Sequence, residues 1–159
     1  MKKLFFFLIA LTSLSIVSCG ADDKPEPTTE QGEWQPRTIQ ITKIIPLYTL
    51  DYPHSKGCNK DYLELNEDET AKFYHYEEES CDEVTYENAY TRTGNQVNIN
   101  VMGYAIDGEI VTETSTTMEI QSGISEYLPY IKVMFPEEYD NYLEMLDGAT
   151  VKLILDKKA

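Results

Sequence analysis

Two histidines, three cysteines and 28 acidic side chains are the groups with which this 159-residue chain could do chemistry. His54 lies in Asp51-Tyr52-Pro53-His54 and His75 in Phe73-Tyr74-His75-Tyr76, and the two share no spacing at which imidazoles bind a common metal. Glu67-Asp68-Glu69 and the run Glu77 to Glu83 are acidic enough to attract calcium, but they lack the ligand alternation and the glycine of a calcium loop. They are expected to be solvated hairpin ends, with no metal ligands and no cofactor among them. Nucleophile elbows, phosphate loops and dinucleotide fingerprints are missing, and no carboxylate pair stands out from the rest. The expectation is a protein with no catalytic residues and no enzymatic activity.

Cys19 is different. Met1-Lys2-Lys3 and the apolar run Leu4 to Leu11 have the order of a secretory signal, too short to span a bilayer as a helix. The segment ends in Leu14-Ser15-Ile16-Val17-Ser18-Cys19, which resembles the bacterial lipobox. That resemblance implies cleavage after residue 18, acylation of Cys19 and attachment to a membrane through several acyl chains. Gly20-Ala21-Asp22-Asp23-Lys24 further resembles the acidic export tag of lipoproteins from Bacteroidetes-type bacteria. It implies an outer-membrane anchor with display at the cell surface; a periplasm-facing anchor is the alternative.

The formal charge is -15, and loss of residues 1–18 removes two lysines and leaves 11 basic against 28 acidic side chains, or -17. Such a chain offers no positive field for a phosphate backbone, which excludes nucleic acid as a partner. Residues 19–31, with Pro25, Pro27, Thr28 and Thr29, hold nothing with which to pack a core and should form a flexible acidic tether. Extended, it would hold the remaining domain up to roughly 40 Å from the lipid.

The domain, 32–159, must supply the positioning elements, and its apolar residues recur mainly with a period of two. This predicts an all-β, antiparallel up-and-down meander. Strands are expected over Thr38–Tyr48, Asp61–Asn66, Ala71–Glu77, Val84–Arg92, Gln96–Met102, Glu109–Thr116, Thr117–Gln121, Tyr130–Phe135 and Thr150–Asp156. Turns are expected at Asn66 to Glu69, Gly94-Asn95, Asp107-Gly108 and Ser122-Gly123. Pro136 opens a stretch in which Tyr139, Tyr142, Leu143 and Leu146 recur at helical spacing and Asp147-Gly148 closes it, predicting one short amphipathic helix before the last strand. Its apolar stripe should pack on the sheet.

An exported chain with two cysteines left after lipidation is expected to pair them, so Cys58 and Cys81 should form a disulfide. A hairpin with its tip at Asp68-Glu69 places them within two positions of being cross-strand neighbours. Tyrosine is abundant, with 12 residues; Tyr74, Tyr76, Tyr86, Tyr90 and Tyr104 in the meander, with Trp34, are the candidate binding residues. A tyrosine couples a broad apolar face to a hydroxyl, although strand packing alone also favours it.

Gly32-Glu33-Trp34 looks like the Gly-x-Trp signature of lipocalins. The run Cys58-Asn59-Lys60-Asp61-Tyr62-Leu63-Glu64-Leu65, the later Cys81 and Gly94-Asn95-Gln96-Val97-Asn98-Ile99 resemble the lipocalin-like domains of Bacteroidetes lipoproteins. The resemblance implies an eight-stranded up-and-down barrel. In place of the arginine that lipocalins usually pack over the tryptophan, the last strand offers Lys152, Lys157 and Lys158. Two functions follow: a monomeric binder of a small apolar or amphiphilic ligand, or a protein- or glycan-interaction module with a filled barrel. The inward positions Leu63, Leu65, Val97, Ile99, Val151 and Leu153 should decide between them.

Overall fold

In the computed structural model, residues 31–158 are described apart from 102, 135 and 138; the expected signal segment, Cys19 and the expected tether up to residue 30 lie outside them. The strands are β1 (Gly32–Thr42), β2 (Pro46–Asp51), β3 (Tyr62–Leu65), β4 (Thr70–Tyr76), β5 (Glu83–Thr93), β6 (Gln96–Val101), β7 (Tyr104–Glu113), β8 (Thr117–Gly123) and β9 (Thr150–Lys157). All pairings are antiparallel. Strands β1 and β3 to β9 follow one another around a ring that closes through β1 and β9, with Trp34 opposite Lys157 and Thr42 opposite Thr150. This is a closed eight-stranded barrel. β2 is an extra strand, paired with the far half of β1 beyond the point where β3 leaves it.

Alternation builds each wall. On β3 the inward Leu63 and Leu65 are buried and the outward Tyr62 and Glu64 are half-buried. Two-residue hairpins between such strands need positive φ, which Gly94 supplies at 62° between Thr93 and Gln96. At the β3–β4 turn Glu69 takes φ 61°, and the Asp68 carboxylate accepts from the Thr70 amide and hydroxyl at 3.2 and 2.6 Å.

Four expected boundaries move. Thr38–Tyr48 is not one strand: it breaks at Lys43 to Ile45 into β1 and β2, where Pro46, having no amide hydrogen, starts a strand rather than continuing one. Asp107-Gly108 is not a turn but lies inside β7, opposite Asn98 and Val97. A Cβ on Gly108 would come within 2.8 Å of Ser122 Oγ, so the glycine there serves close strand approach. Ser122-Gly123 ends β8 instead of separating two strands. Tyr130–Phe135 is not a strand: Leu128–Met134 is the helix α1, entered through a 3-10 turn at Ile124–Tyr127. A ring closed by β1 and β9 has no free edge to accept it, and Pro129 sits in its first turn, where a helix tolerates proline.

The helix expected before the last strand is α2 (Tyr139–Leu146), ended by Gly148 at φ 70°. Its Leu146 and Tyr142 pack with Ile39, Ile41, Ile124 and Val151, so the helical segment lies across one end of the barrel. The Cys58–Cys81 disulfide is formed, with the Cα atoms 5.2 Å apart. It ties the loop between β2 and β3 to the β4–β5 turn.

Candidate functional site

The two ends of the barrel differ in what fills them. At the end where β1 begins, Trp34, Ala71, Ala89, Tyr90 and Leu155 have no exposed surface and pack with Leu65, Val97 and Met118. The Lys157 ammonium lies 5.7 Å from the centre of the Trp34 ring, in the position over it. Arg92, its side chain fully buried, forms two 3.0 Å hydrogen bonds to the Glu113 carboxylate and another to the Gly94 carbonyl. Burial pushes the neighbouring Tyr90 hydroxyl up to about 12, against the opposing pull of Arg92. This end is solid.

The other end is hollow. A cavity of about 180 Å³ lies inside the strands at the end where the 3-10 turn and the helices pack. Leu63 and Phe73 form one wall and Ile99, Val101 and Ile106 a second. Ile39, Val151 and Leu153 form a third, and Tyr127 closes it from the 3-10 turn. Apolar cavities of around 150 Å³ stay dry and accept benzene or xenon, so this one has room for an alkyl chain or ring of similar size. Only Tyr52 and Tyr127 bring hydroxyls to the lining. Burial raises the Tyr127 hydroxyl, opposed by a hydrogen bond with Ser122. For Tyr52, burial and then the nearby Asp61 charge raise the pKa well above the ordinary phenol value, so it stays a donor at physiological pH.

A polar cluster adjoins this cavity. Asp61 continues the inward alternation of Leu63 and Leu65 and is 1% exposed. Its Oδ1 accepts the Tyr76 amide and its Oδ2 meets His75 Nδ1, both at 3.1 Å. The Asp61 amide in turn donates to His54 Nδ1 at 3.1 Å, leaving His54 Nε2 to donate to the Pro36 carbonyl at 2.8 Å. Ring contacts link the cluster to the cavity wall: His75 stacks on Phe73 at 6.3 Å, and the His54 ring meets Tyr52 tilted, at 4.8 Å. The Ser55 hydroxyl bonds the Tyr76 carbonyl, and with the disulfide it fixes the loop carrying His54.

The candidate binding residues read from sequence are dispersed. Trp34 and Tyr90 belong to the solid end. Tyr74 stacks on Tyr62 at 4.5 Å on the outer wall and donates to Glu64, a bond that, with burial, holds its hydroxyl up at about 12. Tyr76 donates to Glu83 at 2.7 Å. Tyr86 stacks on Phe73, with ring centres 6.2 Å apart, and Tyr104 starts β7 half-buried. None of the six lines the cavity. The inward positions divide between the ends: Leu65 and Val97 belong to the packed core, whereas Ile99, Val151 and Leu153 face the open space. Asp61 and Tyr52 were not singled out by sequence; the signal for Asp61 is an acid standing on the apolar parity of 61, 63 and 65.

Among the described residues no group of three or more His, Cys, Asp or Glu side chains is arranged to hold a metal ion, and no helix is long and apolar enough to cross a membrane. Residues 31–120 match a family model described as a lipocalin-like domain. Neither curated proteins nor solved structures yield a match.

Proposed function

From the premise that this chain belongs to the lipocalin-like domain family, we propose that it is a non-enzymatic binding protein whose barrel takes a small apolar or amphiphilic ligand at its helix-covered end. The cavity of about 180 Å³ carries this reading, because its walls are apolar and a polar cluster stands beside it. In this account residues 1–18 are a lipoprotein signal, Cys19 carries the lipid, and 19–31 tether a monomeric domain to the outer membrane at the cell surface. The excess of acidic residues keeps the domain soluble and away from the anionic headgroups beside its own anchor.

Native mass spectrometry of the protein extracted from its parent cell tests the ligand. A retained small molecule, displaced when Val101→Trp fills the cavity, supports the reading; an empty protein that also refuses added benzene sinks it. Labelling with a fatty acid tests the anchor, since it should vanish in Cys19→Ala, and protease shaving of intact cells then tests surface display.

One observation favours a second reading, a protein-interaction module. Ile44 and Ile45, 92% and 66% exposed at the β1–β2 turn, continue into the exposed Tyr48, Leu50 and Met145. This reading gains if the barrel accepts no probe.

A further inference from the structure

Resting on the cavity reading above, we infer that His75, held by the buried carboxylate of Asp61, is the head-group residue of the site and selects an uncharged, hydroxyl-bearing amphiphile over a fatty acid. Three observations carry this. First, His75 lies just outside the cavity lining, at the next inward position after Phe73 on β4, and their rings stack, so a ligand that extends past Phe73 along this wall meets the imidazole. Second, Asp61 is directly opposite His75 in the continued β3–β4 register, in which Tyr62 faces Tyr74. An ionised carboxylate only accepts, so Oδ2 takes the Nδ1 proton, and in the neutral imidazole Nε2 is then left as an acceptor. An acceptor so placed receives a hydrogen bond from an alcohol and repels a carboxylate.

Third, the charged group in contact with the imidazole is an acid. Asp61, 1% exposed, is buried beside the imidazole. Of the cations on this side, Arg37 on β1 is paired with Asp156 at 2.9 Å. Tyr52, a lining residue near enough to Asp61 to feel its charge, is a donor and completes a donor–acceptor pair for an alcohol. The size of the cavity points to a hydrophobic part of about six carbons.

The test is a titration followed by amide NMR shifts, using the chain from position 19 onward with Cys19→Ser, which contains every strand of the barrel. Benzene, hexan-1-ol and hexanoate are the probes. The wild type should bind hexan-1-ol at least tenfold more tightly than hexanoate, with shifts at His75 and Tyr52. In His75→Phe the alcohol should lose about tenfold while benzene is unchanged, and His75→Gln, which keeps a polar group, should recover part of the loss. Equal affinity for the two six-carbon probes, preference for hexanoate, or an alcohol affinity indifferent to His75 would overturn the inference while leaving the cavity reading intact. Failure of benzene to bind would overturn both. If His75→Phe does not fold, the wild-type preference between alcohol and acid decides.

Discussion

At the end of the barrel where β1 begins, large and small side chains alternate across facing strands: Ala71 lies opposite Tyr90, and Trp34 fills the axis between Leu63 and Lys157. At the end beneath α1 and α2 the same strands present side chains of medium size, Ile99, Val101, Val151 and Leu153, and nothing as large as tryptophan crosses the axis. Interdigitation of unequal partners reaches the packing density of a crystal, whereas walls whose side chains do not reach across the axis leave its centre empty. The cover, moreover, comes from a helical segment packed over β1 and β9 rather than from the strands themselves. A fold that needs one solid end to be stable can therefore leave the other for a ligand. The difference also appears in the polar groups: Arg92 and Glu113 satisfy each other at the solid end, while His75 keeps one nitrogen unengaged by Asp61 at the hollow one.

The contrast can be broken most forcibly at the solid end. Trp34→Ala should cost about 3–5 kcal/mol in chemical denaturation, the range for truncating a fully buried aromatic, and a loss under about 1 kcal/mol would mean that this end is not the stabilising core. At the hollow end the disulfide takes over part of that duty. Replacing Cys58 and Cys81 together by serine should cost about 3 kcal/mol by loop-closure entropy, with amide exchange rising over residues 52–61 before it rises around Trp34. A paired enlargement sharpens the comparison further. Ala89→Leu, at a position with no exposed surface, should destabilise by about 1–3 kcal/mol. Val101→Leu, facing the cavity, should be neutral or stabilising and should weaken binding of apolar probes.

The smallest effect concerns pH. Glu119 is held below its ordinary value of 4.5 first by the Lys152 ammonium at 2.9 Å and also by the Thr112 hydroxyl. A depressed carboxyl contributes stability that is fully present above the ordinary value and is lost as pH falls through the folded one. The pair is partly exposed, so the contribution should be less than about 1 kcal/mol, seen below about pH 4.5 and removed by Lys152→Met.

Much of the barrel was legible because a period of two admits no other structure over Gln96–Val101 or Thr150–Lys157. The helix Leu128–Met134 was not, since its apolar run has no clear period and only closure of the ring denies it a strand partner. Likewise, the turn chemistry of Asp107-Gly108 was overridden by close contact with Ser122, which no local signal announces. The disulfide could be anticipated from the count of cysteines, yet the position of His54 depends on the loop that this disulfide pins. Asp61 and His75 stood on the apolar parity of their strands throughout, and a polar residue on that parity marks the site more sharply than the abundance of tyrosine.

Xenon tests the central claim, one hollow end and one solid end, without presuming any ligand. Crystals of the barrel pressurised with xenon should show a bound atom among Phe73, Ile99 and Leu153 and none around Trp34 and Tyr90. Absence of xenon from the helix-covered end, or equal occupancy at both ends, would contradict the account.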